Sequence, residues 1–133
     1  MTEADYADYI ARFNANDFEG LGRFYCEDVV YSLGEKRQIV GRDNILAFYR
    51  DLKSKVREAR DVVGVATGPG TLACHVRTEF FGLADWPDFI AGPLMKGETL
   101  NIESLGFYYL RGGKFARIIS ARYMTLPIIP ASA

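Results

Sequence analysis

The chain has 133 residues, 49% of them hydrophobic, and its 16 basic and 17 acidic side chains give a formal net charge of −1. This length predicts a single soluble domain over residues 1–133, with enough apolar material for a core. A nearly neutral chain has no overall field to attract nucleic acid or anionic lipid, so neither is expected as a partner. An acidic, helical N-terminus and the lack of an 18-residue apolar run predict a cytoplasmic protein.

Few residues suit a metal site or a disulfide. Cys26 and Cys74 lack CxxC spacing and are too few for a disulfide framework, so both are expected to be reduced core residues. His75 is the only histidine, and no H-x-x-x-H or CxxC pair supplies a ligand cluster. The glycine-rich segments 68–70 and 112–114 join two predicted strands rather than a strand and a helix, so they do not suit phosphate. No metal or other cofactor is expected.

Hydrophobic spacing predicts three helices in the first half of the chain. The second is expected to begin at a cap on Asn16 or Asp17, and the third at Asp43. Charged residues between Arg50 and Glu58 fall largely off the apolar stripe and are interpreted as a solvated helix face. The stripes are Tyr6, Tyr9, Ile10 and Phe13 on the first helix; Phe18, Leu21, Phe24 and Tyr25 on the second; and Ile45, Phe48, Tyr49, Leu52 and Val56 on the third.

The rest of the chain has the period of β-strands. The polar stretch 34–41 is expected to be a loop, and Gly68-Pro69-Gly70 and Arg111-Gly112-Gly113 are hairpin signals. Helices followed by a long antiparallel sheet predict an α+β fold. Strands are expected at residues 29–33, 60–67, 71–82, 98–110 and 114–124.

Three segments carry a resemblance to a known group of enzymes. Residues 9–33, YIARFNANDFEGLGRFYCEDVVYSL, resemble without gaps the opening of ketosteroid isomerases and SnoaL-like polyketide cyclases of the nuclear transport factor 2-like (NTF2-like) superfamily. GRDNI at 41–45 resembles the family's helix start, and GKFARI at 113–118 resembles its last hairpin. The resemblance spans about residues 5–124. It implies a cone-shaped fold in which three N-terminal helices pack on a curved mixed or antiparallel β-sheet, open at one end to an apolar pocket.

The resemblance also implies a site, of which only part is present. Tyr9 falls where the isomerases keep a tyrosine that donates a hydrogen bond to an oxyanion. Leu33 falls at their proton-moving carboxylate, and Gly106, within one residue, falls at their second acid. Tyr123 stands where SnoaL-like proteins often keep an aspartate. The isomerase mechanism is therefore disfavoured, because both carboxylates are replaced.

Other polar residues offer substitutes. Tyr31 shares a strand face with Leu33, and a tyrosine there together with His75 resembles the site of scytalone dehydratase, although that family's second histidine has no counterpart. Strand alternation turns His75 outward, unless a bulge reverses it. The resemblance to the family implies that Ser104 and Tyr108 face the pocket. A register shifted by one residue would instead bring in Glu103 as a base.

The segment 83–95 is unusually apolar for a loop. Trp86, Phe89 and Met95 are expected to form a lid over the pocket, an interface with another molecule, or a loop packed on its own sheet. One face of the fourth predicted strand carries apolar residues that suggest a homodimer formed between sheets. That face contains Glu103, Leu105, Phe107 and Tyr109.

These observations favour a cofactor-independent enzyme of the SnoaL-like type, an isomerase, cyclase or dehydratase acting on a hydrophobic carbonyl or polycyclic small molecule. A non-catalytic ligand-binding or dimerisation module of the same fold is the alternative. The candidate catalytic residues are Tyr9, Tyr31, His75 and Glu103. The candidate substrate-binding residues are Phe13, Leu33, Phe48, Trp86, Phe89, Ser104, Tyr108 and Tyr123.

Overall fold

The computed structural model describes residues 1–132, in which three helices accompany a single six-stranded sheet. The predicted α+β fold is confirmed. None of the helices in this range combines the length and apolar character that crossing a membrane requires. The elements are α1 (Glu3–Asn14), α2 (Phe18–Gly22), β1 (Tyr25–Leu33), β2 (Arg37–Val40), α3 (Arg42–Lys55), β3 (Val56–Gly68), β4 (Thr71–Gly82), β5 (Thr99–Arg111) and β6 (Lys114–Thr125).

The strands are arranged in the order β2-β1-β6-β5-β4-β3. β1 and β6 are parallel, and every other neighbouring pair is antiparallel, so the sheet is mixed. Register shifts interrupt β3 between Val62 and Gly64 and interrupt the β5–β6 pairing between Glu103 and Ser104. Such bulges bend strands, and the sheet curves around the helices as the cone-shaped fold requires.

Local sequence explains where the helices begin. Thr2 and Asp5 form a capping box at the start of α1, and the Asp17 side chain accepts a hydrogen bond from the Gly20 backbone at the start of α2. The predicted cap at Asp43 is wrong. Gly41 occupies the N-cap of α3 without a side-chain bond, and its φ of 95° lies in the region that glycine tolerates best.

Three boundaries differ from the sequence-based prediction. The stretch 34–41 contains the short strand β2 rather than only a loop, and β1 begins at Tyr25, which was assigned to the second helix. The third difference matters most for the site, because β3 begins at Val56, directly after α3. Glu58 is consequently buried on β3, and Lys53, near the end of α3, is buried as well, which corrects the assignment of both to a solvated helix face. Glu58 would lie off the apolar stripe if the helix continued, but in a strand alternate side chains share a face, and Glu58 lies on the inner one.

Two groups of buried residues form the core. The larger packs the aromatic face of α1 against β1 and β6, and the smaller lies where the end of α3 meets β4, β5 and the segment after β4. Cys26 and Cys74 are buried and unpaired, as expected. Residues of both groups line one cavity, so the cavity lies between them.

Candidate functional site

The cavity has a volume of about 260 Å³ and opens to the surface. Its wall is formed by the inward faces of β1 and β3–β6, by α1 and α3, and by residues 89–91. Residues predicted from sequence that line it are Tyr31, Leu33, Phe48, Phe89, Ser104 and Tyr108.

The two positions of the lost isomerase acids both lie in this wall. Leu33 and Gly106 line the cavity, as the alignment with the family implies. A Cβ atom added at Gly106 would lie 3.0 Å from the Cys74 Sγ and 3.4 Å from the Tyr108 ring. An acid at position 106 would therefore need its neighbours to move, so the space of the second carboxylate is filled by Cys74 and Tyr108.

Tyr9 lies in the core instead of in the cavity wall. Its side chain is 1% exposed, and its hydroxyl lies 2.5 Å from the Tyr25 hydroxyl. Burial raises the pKa of Tyr9 to about 12. Tyr6, one turn earlier on the same face of α1, lines the cavity instead, with its hydroxyl 2.9 Å from the Tyr108 hydroxyl. The oxyanion role expected of Tyr9 thus has no support in this geometry.

His75 and Glu103 lie outside the cavity, on the outer face of the sheet. His75 Nε2 lies 2.7 Å from Glu103 Oε1, and the Tyr123 hydroxyl donates to the same oxygen at 3.1 Å. The His75 hydrogen bond lowers the pKa of Glu103. Because Cys74 and Ser104 face the cavity, the strand pleat turns their neighbours His75 and Glu103 away from it. The alternative register that would bring Glu103 inward is wrong.

Phe13 and Trp86 do not line the cavity, but each packs against an aromatic residue that does. Phe13 is fully buried beneath Tyr49, with ring centroids 5.0 Å apart in a T-shaped arrangement. Trp86 stacks on Phe89 at 4.7 Å, and Phe89 packs edge-on against Phe80 at 5.0 Å. The segment after β4 is thus packed against its own sheet, and Phe89 presents one side to the cavity.

Sequence analysis missed the two charged residues at the centre of the site. Glu58 and Arg60 line the cavity from β3, and their side chains are only 3% and 13% exposed. Arg60 Nε donates to Glu58 Oε2 at 3.3 Å, and Arg60 Nη2 donates to the Tyr49 hydroxyl at 3.1 Å. The Arg60 guanidinium is therefore hydrogen-bonded both to one carboxylate oxygen of Glu58 and to Tyr49 on α3.

The second oxygen of Glu58 is the unusual atom of the site. Oε1 is buried and has no hydrogen-bond partner within residues 1–132. Burial raises the pKa of Glu58 above its ordinary value of 4.5, while the charges of Arg60 and Lys53 act in the opposite direction. A buried acceptor without a partner costs free energy, which a ligand that donates a hydrogen bond or a proton would recover.

Lys53, on α3, connects that helix to the end of α1. Its ammonium group donates to the Phe13 carbonyl at the end of α1 and, at 2.7 Å, to Asn16 Oδ1. Burial lowers the pKa of Lys53 to about 8. The contact ties α1 to α3 and adds a second positive charge near Glu58.

A signal for Glu58 and Arg60 does exist in the sequence. If the strand predicted at residues 60–67 is extended back to Val56, alternation places four residues on one face: Val56, Glu58, Arg60 and Val62. Two opposite charges two residues apart on an otherwise inward face indicate a buried pair. The strand predicted at residues 60–67 begins four residues after the observed start of β3, so it does not show that Glu58 and Arg60 share a face.

No group of three histidine, cysteine or carboxylate side chains is placed to hold a metal ion in the part of the chain that the structure describes. The polar groups of the cavity are one carboxylate, two guanidinium groups and a set of hydroxyls. The hydroxyls belong to Tyr6, Tyr31, Tyr49, Thr78, Ser104, Tyr108 and Ser120.

The family model of the SnoaL-like domain matches residues 6–118, from within α1 to the first part of β6. The chain belongs to the SnoaL-like domain family. No match was found among curated proteins.

Solved structures agree with the SnoaL-like family. A candidate polyketide cyclase from Pseudomonas putida KT2440 is 26% identical, with 85% of this chain and 84% of that chain covered and a TM-score of 0.74. A candidate polyketide cyclase from Silicibacter sp. TM1040 is 23% identical, with 90% and 86% covered and a TM-score of 0.76. A candidate ketosteroid isomerase from Kribbella flavida DSM 17836 is 17% identical, with 96% and 82% covered and a TM-score of 0.70. The last two show the fold alone.

Proposed function

We propose that this SnoaL-like protein is a cofactor-independent isomerase, cyclase or dehydratase that acts on a hydrophobic carbonyl or polycyclic small molecule, with Glu58 as the proton carrier. The observation that carries the proposal is that Glu58 lines the cavity while its buried Oε1 has no hydrogen-bond partner among the described residues. The proton carrier thus comes from β3, whereas the family pattern places it at the position of Leu33.

Glu58 has the properties that a general base requires. One oxygen is held by Arg60, so the free oxygen has a fixed direction. Its raised pKa brings the carboxylate nearer to neutral pH, where an acid or base transfers protons best. Glu58 would take a proton from the carbon next to a substrate carbonyl, and the electron pair of the broken C–H bond would form an enolate. Returning the proton at another carbon completes an isomerisation. In a cyclisation, the enolate carbon attacks a second carbonyl, and the resulting alkoxide takes the proton back from Glu58.

Tyr108 is the proposed donor to the enolate oxygen, and Tyr6 is the proposed residue that orients it. Their hydroxyls lie 2.9 Å apart in the wall. If Tyr6 donates to Tyr108, the Tyr108 hydrogen is available to a substrate oxygen. Burial raises the pKa values of both phenols, so both remain protonated and able to donate at neutral pH. Such prealigned donors stabilise charge as it develops in the transition state.

The size and the walls of the cavity support a hydrophobic substrate. Beyond its charged pair the wall is formed largely by aliphatic and aromatic groups, among them Phe48, Phe80 and Ile118. The Pseudomonas putida relative, named for polyketide cyclisation, has 26% identity and supports the same substrate class. Apolar walls with a few aimed polar groups are the usual form of a small-molecule site.

The test is exchange of α-hydrogens for deuterium in a panel of cyclic ketones, followed by NMR in D₂O. Glu58→Gln is expected to lower the exchange rate by about 10²- to 10⁴-fold, the usual contribution of a general base. Glu58→Asp keeps a carboxylate and should retain part of the rate. Glu103→Gln on the outer face is the matched control and should leave the rate unchanged. Full exchange in a folded Glu58→Gln variant would refute the assignment.

A non-catalytic binding module is the second candidate. It is favoured by Leu33 and Gly106, which leave both isomerase acid positions without an acid in the cavity wall. The two candidates differ in one observable. A binder would take up ketones from the panel without exchanging their α-hydrogens, whereas the enzyme would do both.

We further propose that the protein forms a homodimer through the outer sheet face. Leu105, Phe107 and Tyr109 on β5 are 52%, 39% and 45% exposed, and Ile119, paired with Phe107 across β6, is 38% exposed. The Phe107 and Tyr109 rings lie 5.1 Å apart. Contiguous exposed apolar residues of this kind are typical of interaction surfaces. A second copy of the same face would cover them.

A further inference from the structure

The charges in the cavity wall do not balance. The wall contains one carboxylate, Glu58, and two guanidinium groups, Arg60 and Arg122. Arg60 is paired with Glu58 and Tyr49, so its charge is compensated. One positive charge therefore remains in excess, and it belongs to Arg122.

Arg122 has little to hold it within residues 1–132. No aspartate or glutamate of this range forms an ion pair with it. Its side-chain hydrogen bond is a long one, from Nη1 to Thr125 Oγ1 at 3.4 Å. Partial burial lowers the pKa of Arg122 without a carboxylate to offset the effect. An arginine in such a setting is available to a ligand anion.

The fold places this guanidinium at the edge of the cavity. Ile118, Ser120 and Arg122 follow one another on the inward face of β6. β1 ends at Leu33, opposite Ser120, so Arg122 lies one inward position beyond the end of that strand. The pairing of β5 with β6 shifts after Arg122, and Tyr123 joins Glu103 on the outer face. Strand alternation turns Arg122 toward the cavity and its neighbour Tyr123 away from it, and the bulge follows directly after Arg122.

We propose that the ligand of this cavity carries a carboxylate that pairs with Arg122, and that the substrate is an apolar, cyclic keto acid. This inference rests on the proposed function, since the keto group is the part on which Glu58 acts. The carboxylate would lie at the edge of the cavity and the apolar ring inside it. Arginine is well suited to this role because its planar fork can bind both oxygens of a carboxylate.

The same arrangement makes proton removal from an acid feasible. Enolate formation on a keto carboxylate adds a second negative charge to the substrate. Once Glu58 has accepted the proton it is neutral, so Arg60 can offset one negative charge of the substrate and Arg122 can offset the other. Arg60 alone could offset only one of the two charges. Opposite charges held at fixed positions stabilise negative charge as it develops on the substrate.

The experiment compares two probes that share one ring system and differ in charge, 2-naphthoate and 2-naphthamide. Their dissociation constants are measured by calorimetry at low ionic strength for the wild type and for Arg122→Gln. The wild type is expected to prefer the naphthoate by about tenfold or more, the value of a charge-assisted hydrogen bond. Arg122→Gln should lose this preference, and Arg122→Lys should keep part of it.

Arg117→Gln is the matched control, because Arg117 is on the same strand and is exposed like Arg122, but lies outside the cavity wall. It should keep the full preference for naphthoate. Equal binding of both probes by the wild type, an undiminished preference in Arg122→Gln, or no binding of either probe at millimolar concentration would overturn the inference. Failure of the proposed function gives a different result, namely unchanged α-hydrogen exchange in Glu58→Gln.

Discussion

Arg60 Nε lies 3.3 Å from Glu58 Oε2, two residues away on the same strand, and the pair forms a charged site in a cavity that is otherwise mostly uncharged. Glu58 lines the cavity, and its other oxygen is buried and has no hydrogen-bond partner among the described residues.

The pH dependence of activity should follow the titration of Glu58. Its pKa is raised above 4.5 by burial, so it is protonated and inactive as a base at low pH. We expect the exchange rate to rise with pH through an apparent pKa above 4.5. The profile is measured by NMR across the acid range, with Glu103→Gln as the control. An acid limb at or below 4.5 would contradict the assignment of Glu58.

The same shift predicts how Glu58 affects stability. In the folded state Glu58 holds its proton to a higher pH than in the unfolded chain, so its contribution decreases as pH rises from 4.5 through the folded pKa. Glu58→Gln removes this dependence. Urea unfolding at several pH values should therefore show a smaller loss of free energy across that interval in the variant than in the wild type. An equal or greater loss in the variant would count against the raised pKa.

Tyr9 and Tyr6 should behave differently when each loses its hydroxyl. Tyr9→Phe leaves Tyr25 without its partner in the core and is expected to lower the free energy of unfolding by about 1 kcal/mol while the exchange rate stays unchanged. Tyr6→Phe removes a hydroxyl from the cavity wall and should lower the exchange rate. Chemical denaturation and NMR exchange on both variants provide the comparison. A folded Tyr9→Phe variant with a reduced rate would restore Tyr9 to the mechanism.

Lys53 should matter for stability. Lys53→Met leaves the Phe13 carbonyl and Asn16 without their buried donor, so we expect a loss of about 1–3 kcal/mol in the free energy of unfolding. Lys36→Met is the control, because Lys36 is exposed in the turn between β1 and β2. A loss no larger than that of the control would show that the Lys53 contacts contribute little.

Glu103 should affect acid stability but not activity. Its folded pKa is lowered by the hydrogen bond from His75, so it contributes stability that is present above the ordinary value of 4.5 and is lost as pH falls through the folded pKa. Glu103→Gln should therefore flatten the decline of the melting temperature below pH 4.5, as measured by calorimetry, and leave exchange unchanged. Glu79→Gln, an exposed carboxylate on β4, is the control. A variant with an unaltered acid decline would refute this role.

The proposed dimer is tested at Phe107. Phe107→Glu places a charge in the middle of the apolar outer face and should shift the protein toward monomer in sedimentation velocity. Val40→Glu is the control, since Val40 is also exposed, at 55%, but lies on β2 away from that face. A wild type that is monomeric at all concentrations would refute the proposal directly.

The sequence alone determined the element types and much of the cavity wall. Helical spacing identified the aromatic face of α1, and period-2 alternation placed Ser104 and Tyr108 on one face of β5, because both patterns depend only on local geometry. The resemblance to the family indicated that this face of β5 points inward. The motifs shared with the family then indicated the cone-shaped fold, and the family model agrees over residues 6–118.

Only the tertiary structure decided which charges enter the cavity. Glu58 and Arg60 follow the end of α3 by a few residues, and their burial depends on the residue at which the helix ends and the strand begins. Arg122 and Tyr123 are adjacent in sequence, and once packing has fixed the inward face of β6, strand alternation sends Arg122 to the cavity and Tyr123 to His75 and Glu103. A boundary or a bulge that moves by one residue reverses a strand's faces, and the packing of the whole sheet against the helices sets both.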